Sequence, residues 1–592
     1  MDNKKLLSGN EAIAQAAWEC GVELGVGYPG TPSTETLENL SKLGQVYCEW
    51  SPNEKVALEV GAGAAIGGVR ALVTMKHVGV NVAADPLLSV CNTGINAGLV
   101  ILAADDPSMY SSQNEQDSRN YAAFARIPCF EPADSEEAFE FTKLAFDISE
   151  EFDTPCMIRE TVRIAHTKTN VEISGKRENL EPRDYENNVS KYVMMPAFAK
   201  GRRLFVDERE QKLIEFADST DINRIELNDT KRGFICSGAV YQQVKEAFPQ
   251  SSFLKLGMSW PLPEKKIKEF ASKVEECYVI EETCNFFKMR IEALGVKLSS
   301  PKACNIPKDG ELTPARILHA FGEDTPLAFE QVQDLPARPP ALCPGCPHRL
   351  VFTELRRLKA IVTGDIGCYT LGAIAPLNAV HSTVDMGASI SMAHGMELAH
   401  VSERKGRPVV GIIGDSTFAH SGITSLLGTV YNLGSGTICI LDNRTTAMTG
   451  TQGNPCNGER LAQKSPDLDI ANRQNKELNI ELLVKALGVE NVESVNSQDL
   501  KAVRSALTNA CKATDELNVI IFRSPCRLID RTRKPAPEIK DCHACGVCVQ
   551  IGCPALGKDE NGCAVIDASQ CVGCGQCSQV CPFECIAERQ EI

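Results

Sequence analysis

Two cysteine clusters near the end of the chain have the residue types and spacing of iron–sulfur ligands. The first reads CHACGVCVQIGCP (542–554), and the second reads CVGCGQCSQVCP (571–582). Each has three cysteines at i, i+3 and i+6, followed by a fourth cysteine that precedes proline. Three thiolates so spaced hold one [4Fe–4S] cluster, and the distant fourth thiolate ligates the other cluster.

This rule predicts two cross-ligated [4Fe–4S] clusters. Their ligands are Cys542, Cys545, Cys548 and Cys581 for the first cluster, and Cys571, Cys574, Cys577 and Cys553 for the second. Structural zinc and disulfides are the alternatives. Zinc ribbons use paired C-x2-C motifs without the trailing Cys-Pro, and disulfides are unusual in a chain whose first residues predict no signal peptide and a cytoplasmic location.

A second set of chemical residues follows two expected strands, in PVVGIIGDS (408–416) and TICILDN (437–443). The carboxyl ends of neighbouring parallel strands meet at one sheet edge, where α/β proteins bind ligands. The Asp415 carboxylate and the Asn443 amide oxygen suit Mg²⁺. In isolation, an ordinary strand end explains Gly414-Asp415 equally well.

The spacing of these residues resembles the thiamine-diphosphate motif, in which Gly-Asp-Gly is followed by Asn after one helix. The resemblance implies that Gly414, Asp415, Ser416 and Asn443 bind thiamine diphosphate. It also implies that Asp415, Asn443 and the Thr445 backbone carbonyl hold Mg²⁺. Ser416 stands where the motif has its second glycine, which leaves both side-chain ligands in place.

Thiamine enzymes also need a glutamate that exchanges a proton with the cofactor's aminopyrimidine. The helix pattern NEKVALEVGAGAAIGGVR (53–70) offers Glu54, in the position that the family pattern expects, with Glu59 as the fallback. A surface helix carboxylate is the alternative for either residue.

The chain as a whole resembles the 2-oxoacid:ferredoxin oxidoreductases. Within them it is most similar to the alpha subunits that act on indolepyruvate, over TMKHVGVNVAADPL (74–87), LCPGCPHR (342–349) and TGDIGCYTLGAIAPL (363–377). The loop YPGTPSTE (28–35) looks like the family's substrate loop and implies that Thr31 binds the 2-oxoacid.

The resemblance also implies roles for residues outside the motif. His77 is a catalytic candidate, and Cys346 and His348 are candidates for cofactor contact, although a structural histidine is the alternative for each histidine. A third cluster close to thiamine is an open alternative for Cys343, Cys346 and Cys368, with Cys456 as the only fourth ligand that the sequence suggests.

The implied reaction is oxidative decarboxylation of arylpyruvates (indolepyruvate, phenylpyruvate, 4-hydroxyphenylpyruvate) with CoA, giving arylacetyl-CoA, CO2 and reduced ferredoxin. The implied partners are a smaller, gamma-domain-like beta subunit in an α2β2 heterotetramer and an external ferredoxin. Alternatives are another 2-oxoacid (pyruvate or branched-chain), the reductive carboxylation direction, a non-oxidative thiamine decarboxylase or synthase, and a pure electron carrier.

Length and composition frame these motifs. A chain of 592 residues should divide into several domains. Its formal net charge of −16 argues against nucleic-acid binding. The longest apolar runs fall well short of the ~20 residues that span a bilayer, so we expect no membrane contact.

Alternating strand and helix patterns predict an α/β fold with several doubly wound thiamine-diphosphate-binding-type domains and a small C-terminal α+β two-cluster ferredoxin domain. We expect a pyrimidine-binding domain over 1–170, then a linker, a helical arm and a middle transketolase-C-terminal-like α/β domain over 171–335. A diphosphate-binding domain over 336–532 and the 2[4Fe–4S] ferredoxin-like domain over 533–592 complete the chain.

Overall fold

The computed structural model describes residues 3–323, 335, 339–467, 474–513 and 515–587. The chain forms two compact units. The first comprises residues 1–332 with 460–473, and the second comprises residues 333–459 with 474–592. Among the described residues, no helix combines the length and the apolar character needed to cross a membrane.

The first unit is built on a seven-stranded and a four-stranded sheet. Its strands are β1 (Lys4–Ser8), β2 (Leu24–Gly27), β3 (Tyr47–Trp50), β4 (Ala71–Lys76), β5 (Leu99–Asp105), β6 (Cys129–Phe130), β7 (Cys156–Thr161), β8 (Lys168–Glu172), β9 (Arg224–Glu226), β10 (Asp229–Ser237), β11 (Ser251–Leu256), β12 (Met258–Trp260) and β13 (Glu276–Val279). Its helices are α1 (Gly9–Glu19), α2 (Thr34–Leu43), α3 (Glu54–Ile66), α4 (His77–Val82), α5 (Ala84–Thr93), α6 (Arg119–Ala125), α7 (Ser135–Glu151), α8 (Val162–His166), α9 (Val189–Tyr192), α10 (Pro196–Ser219), α11 (Gly238–Ala247), α12 (Glu264–Ser272), α13 (Phe286–Ala293) and α14 (Pro314–Phe321).

The larger sheet has the order β12-β6-β7-β5-β4-β2-β3 and is parallel except for β12. Alternate residues of its strands enter two different cores: Leu72 packs on one face, and Val73 packs on the other. The smaller sheet, β13-β10-β11-β9, likewise has a core on each face. Helices therefore cover both sides of each sheet, as the alternating patterns predict.

The charge-rich stretch after residue 166 differs in one respect from the predicted linker. Lys168–Glu172 pairs with β1 as a two-stranded antiparallel ribbon. Only Val171 of this strand is buried, so the ribbon is held mainly by backbone hydrogen bonds and leaves little hydrophobic pattern in the sequence. The predicted helical arm is present as α10 (Pro196–Ser219).

The second unit contains a five-stranded parallel sheet and the segment that carries the two cysteine motifs (542–582), called the tail below. Its strands are β14 (Ile361–Thr363), β15 (Val409–Gly414), β16 (Gly436–Asp442), β17 (Asn491–Asn496), β18 (Leu517–Arg523), β19 (Glu538–Ile539), β20 (Leu556–Lys558), β21 (Ala564–Ile566) and β22 (Ile586–Ala587). Its helices are α15 (Arg349–Arg357), α16 (Ala388–Leu398), α17 (Val401–Lys405), α18 (Asp415–Thr417), α19 (Ile423–Tyr431), α20 (Ile480–Ala486), α21 (Leu500–Ala510) and α22 (Gln576–Val580). The five strands have the order β14-β15-β16-β18-β17, again with a core on each face. The predicted domain boundaries at residues 170, 335 and 532 remain predictions.

Two glycines of α3 give a matched test of packing in the first unit. A β-carbon on Gly61 would lie 2.4 Å from Cγ2 of Val73, whereas a β-carbon on Gly63 would meet no atom within 4 Å. Val73 is a branched side chain on a buried strand and has little room to move. We expect Gly61→Ala to lower the free energy of unfolding by about 1–3 kcal/mol and Gly63→Ala to raise it by about 0.5–1 kcal/mol. Urea unfolding followed by circular dichroism measures both, and equal effects of the two variants would contradict the packing.

Candidate functional site

The carboxyl edge of the five-stranded sheet brings the predicted metal ligands together. Asp415 follows β15, and Asn443 follows β16, its parallel neighbour. One terminal atom of the Asn443 amide lies 3.1 Å from Oδ1 of Asp415 and 2.8 Å from the carbonyl oxygen of Thr445. The three predicted ligands therefore converge on one point.

The buried Asp415 carboxylate lacks a positively charged neighbour that neutralises it among the groups described above. Asp415 is 2% exposed, and its Oδ2 atom accepts no hydrogen bond from the described residues. Burial, together with the nearby Asp442 carboxylate, raises the pKa of Asp415 to about 7. A buried carboxylate that faces two more polar groups is stabilised either by the amide protons of Asn443 or by a bound cation. Carboxylate, amide and carbonyl oxygens are the donors that suit Mg²⁺.

A tyrosine that the sequence reading did not single out explains the glycine of the motif. A β-carbon on Gly414 would lie 2.5 Å from Cε1 of Tyr369. The Tyr369 hydroxyl donates to the Ile366 carbonyl at 2.8 Å and lies 2.9 Å from Oγ1 of Thr417. The ring thus packs directly on the strand end that leads to Asp415, and only glycine leaves room for it. The Ser416 hydroxyl, two residues after Gly414, accepts a hydrogen bond from Thr446 Oγ1 at 2.9 Å.

Glu54 lies in the first unit as the first residue of α3. Its helix is capped by Asn53, whose side chain accepts from Val56 N at 3.0 Å. Glu54 is 5% exposed, and a β-carbon on Gly79 would lie 2.6 Å from its Oε1 atom, so Gly79 makes room for the carboxylate. Glu59 is exposed and pairs with Lys55. The structure therefore favours Glu54 over Glu59 as the buried carboxylate.

Thr31 and His77 lie at the carboxyl edge of the seven-stranded sheet, after the neighbouring strands β2 and β4. Thr31 is partly buried, and His77 is fully buried. Lys76, which the sequence reading missed, packs against the Thr31 loop: a β-carbon on Gly30 would lie 3.0 Å from Cβ of Lys76. Burial lowers the pKa of Lys76 to about 8 and lowers that of His77.

A group of four cysteines forms around the Cys343–Cys346 turn. Burial, and then the neighbouring thiols of Cys526 and Cys343, raise the pKa of Cys368 to about 11. Burial raises the pKa of Cys346 to about 12, to which Cys368 and Cys343 contribute. Cys526 N donates to the Asn443 carbonyl at 3.0 Å, which places Cys526 next to the sheet edge that carries Asp415 (the Asp415 edge).

Cys456, the fourth ligand that the sequence suggested, is not part of this group. It is fully buried in one core of the five-stranded sheet, and its Sγ atom lies 3.4 Å from the Asp415 carbonyl. Cys526 is instead the cysteine that lies near Cys368. No motif pointed to Cys526, because a single cysteine after a strand has no characteristic spacing.

His348 is buried beside this turn. Its ring lies 6.2 Å from the Tyr369 ring, centroid to centroid, in an edge-to-face arrangement. Burial, and then the adjacent Arg349, lower the pKa of His348 to about 4. The imidazole is therefore neutral at physiological pH.

The tail cysteines form two groups, and the assignment of each group to one [4Fe–4S] cluster stays a prediction. Burial, followed by the thiols of Cys581, Cys542 and Cys545, raises the pKa of Cys548. Burial, followed by the thiols of Cys574, Cys553 and Cys571, raises the pKa of Cys577 to about 12. Each triplet thus lies near the fourth cysteine of the other cluster.

The second group lines a pocket whose walls include Cys553, Cys571, Cys574, Cys577, Pro344 and Gly345. Among the described residues, no three His, Cys, Asp or Glu side chains close around a single metal ion. Because Pro344 and Gly345 line the same pocket, the second group of tail cysteines lies against the Cys343–Cys346 turn.

Arg349 clamps the same turn to the tail. It is 1% exposed, and its guanidinium donates to the carbonyls of Cys343 at 3.0 Å and Ile551 at 3.0 Å. Further bonds reach Leu342 and Gly552. A buried guanidinium needs such a full set of acceptors, so the tail is docked on the sheet domain and is not loosely tethered.

Three family models match the chain. "Pyruvate flavodoxin/ferredoxin oxidoreductase, thiamine diP-bdg" covers residues 15–217. "Thiamine pyrophosphate enzyme, C-terminal TPP binding domain" covers residues 365–522, and "4Fe-4S binding domain" covers residues 564–587.

Curated relatives match the chain over nearly its whole length. "Indolepyruvate oxidoreductase subunit IorA" from Archaeoglobus fulgidus is 38% identical, covering 98% of this chain and 97% of the relative. The proteins of that name from Thermococcus kodakarensis and Methanothermobacter marburgensis are 36% and 37% identical, covering 99% and 98% of this chain and 97% and 96% of the relatives.

These matches confirm the predicted α/β thiamine-binding fold with a C-terminal 4Fe–4S domain. They also confirm the predicted enzyme class, thiamine-diphosphate-dependent 2-oxoacid:ferredoxin oxidoreductase. The chain belongs to the indolepyruvate oxidoreductase subunit IorA family.

Proposed function

We propose that this chain is the catalytic and electron-exporting subunit of an arylpyruvate:ferredoxin oxidoreductase. One arylpyruvate, one CoA and two oxidised ferredoxins give one arylacetyl-CoA, one CO2, one proton and two reduced ferredoxins. The observation that carries this proposal is the combination within one compact unit of the Asp415 edge, the Cys343–Cys346 turn and the cysteine-lined pocket of the tail. The preference for arylpyruvates rests on the names of the relatives.

Thiamine diphosphate and Mg²⁺ fit the residues at the Asp415 edge. Asp415, Asn443 and the Thr445 carbonyl would hold Mg²⁺, and Gly414 and Ser416 border the same position. When bound, thiamine diphosphate supplies the nucleophile for the keto carbon and accepts the electron pair released with CO2. Glu54, a buried carboxylate at a helix start, is the residue that would exchange a proton with the aminopyrimidine of the bound cofactor. Thr31 donates a hydrogen bond to the 2-oxoacid, and His77 lies at the same sheet edge as a further contact.

A third [4Fe–4S] cluster at Cys343, Cys346, Cys368 and Cys526 completes the electron path. Its ligands lie between the sheet edge that carries Asp415 and the pocket of the tail. Cys526 is hydrogen-bonded to Asn443 at that edge, and Gly345 lines the pocket. His348 is neutral and leaves the local charge to the thiolates. Electrons released at the thiamine site would enter this cluster and then the two tail clusters, before they leave to an external ferredoxin.

The remaining participants lie outside the chain. We infer a smaller, gamma-domain-like beta subunit in an α2β2 assembly, with CoA as the co-substrate that accepts the acyl group. Ferredoxin as the acceptor agrees with a cytoplasmic location.

The substrate preference is tested by anaerobic, CoA-dependent ferredoxin reduction with the chain and its beta subunit purified together. We expect indolepyruvate, phenylpyruvate and 4-hydroxyphenylpyruvate to give higher kcat/KM values than pyruvate, 2-oxoglutarate or a branched-chain 2-oxoacid. Faster turnover of pyruvate would contradict the preference and leave the enzyme class standing.

Asp415→Asn tests the cofactor site. The variant keeps the shape of the side chain but removes the charge, so we expect thiamine diphosphate to bind more than about a hundredfold more weakly in Mg²⁺. Isothermal titration measures the affinity, and the iron content of the tail should not change. Asp442→Asn is the matched control: this carboxylate ends the next strand and pairs with Arg523, outside the group of converging ligands. Equal losses in both variants would mean that the effect is structural.

Cys526→Ser and Cys456→Ser distinguish the two candidates for the fourth ligand of the third cluster. We expect Cys526→Ser to lose up to about four iron atoms per chain, whereas Cys456→Ser keeps them. Iron analysis and EPR of the reduced protein measure the difference. Full iron content in Cys526→Ser would remove the third cluster from the proposed path.

A further inference from the structure

Gln576 is a buried amide placed between the Cys343–Cys346 turn and the tail. It begins α22 and stands between Cys574 and Cys577, two ligands of the second tail cluster. Its side chain is 1% exposed. A polar side chain so deeply buried beside cluster ligands needs a reason, because burial of an amide costs free energy unless its hydrogen bonds are made.

The hydrogen bonds of Gln576 cross from the tail to the turn. Its Nε2 atom donates to the Cys346 carbonyl at 2.9 Å and to Oε1 of Gln498 at 2.6 Å. Its Oε1 atom has no hydrogen-bond partner among the described residues. Stability alone would not select a half-satisfied amide here, since an apolar side chain of the same shape would avoid that cost.

Gln579, one helical turn later, provides the docking contact. Its Nε2 atom donates to the Gln498 carbonyl at 2.9 Å, and its Oε1 atom accepts from Leu500 N at 2.8 Å. Both ends of this amide are therefore used, yet neither touches a cysteine. Gln498 also donates to the Gly345 carbonyl at 3.3 Å. The two hydrogen bonds of Gln579 and those of Arg349 therefore hold the tail in place without Gln576.

Gln576 connects two sets of proposed cluster ligands through covalent bonds and one hydrogen bond. The path runs through the backbone of Cys346, across one hydrogen bond, and down the Gln576 side chain to the backbone that joins Cys574 and Cys577. Electron tunnelling decays more slowly through bonds and short hydrogen bonds than across a van der Waals gap. Hydrogen bonding around cluster ligands also tunes their potential.

We propose that Gln576 is the positioning residue that couples the cluster at the Cys343–Cys346 turn to the second tail cluster. The reduced cluster at the turn would give up one electron and be oxidised, and a cluster held by Cys553, Cys571, Cys574 and Cys577 would accept that electron and be reduced. The proposal rests on the proposed function, because it requires a cluster at each position. It also makes the second tail cluster the entry point to the tail and the Cys542 cluster the exit.

The test compares Gln576→Leu with Gln579→Leu in the complete enzyme with its beta subunit. Iron content and the intensity of the reduced EPR signal should match the wild type in both variants. We expect the magnetic interaction between the two clusters, seen as splitting of the EPR lines, to weaken in Gln576→Leu only. Freeze-quench EPR after mixing with 2-oxoacid and CoA should show tail reduction slowed by about tenfold or more in Gln576→Leu and by less than about twofold in Gln579→Leu.

Gln576→Glu is the second variant, because it keeps the size of the side chain and removes the donor. If Gln576→Leu loses tail iron, unchanged splitting and unchanged tail reduction in an iron-replete Gln576→Glu would overturn the proposal. Equal slowing in Gln576→Leu and Gln579→Leu would also overturn it, since docking would then explain both. A wild type that reduces no ferredoxin, or lacks the third cluster, would instead contradict the proposed function.

Discussion

The second unit is organised around a buried negative charge at the end of a parallel strand. The Asn443 amide lies 3.1 Å from Oδ1 of Asp415 and 2.8 Å from the Thr445 carbonyl, and burial raises the pKa of Asp415 to about 7. A buried carboxylate in this position is stabilised by the amide protons of Asn443 or by a bound cation. Tyr369 packs on Gly414, the residue before Asp415, and the backbone amide of Cys526 donates a hydrogen bond to the Asn443 carbonyl. Cys526 is therefore positioned by the same sheet edge that positions Asp415.

The parts that the sequence predicted well are those with strong periodicity or fixed spacing. Buried runs such as Leu99–Asp105 predicted parallel strands, and the cysteine triplets predicted the grouping of the tail thiols. The Gly-Asp and Asn ends of two strands predicted a shared edge, since parallel neighbours end together. Each of these inferences needs only local pattern and one rule of sheet geometry.

What the sequence did not predict depends on contacts between distant segments. Cys526 joins Cys343 and Cys368 only after β18 has been inserted beside β16, and Cys456 is drawn into the core by the same packing. Lys76 meets the Thr31 loop because β2 and β4 are neighbours, although their residues lie far apart in the chain. No single motif carries such information, because each contact is decided by strand order.

The strand β12 has a consequence for how the chain can be divided. It comes from the middle segment, yet it forms the outer edge of the seven-stranded sheet, antiparallel to β6. If the chain were cut before the middle segment, the sheet would keep β6 as a bare edge, open to pairing with other molecules. Cleavage or gene fission at that point would therefore trade one folded body for an aggregation-prone fragment. The first two segments therefore share one sheet and belong to one compact unit.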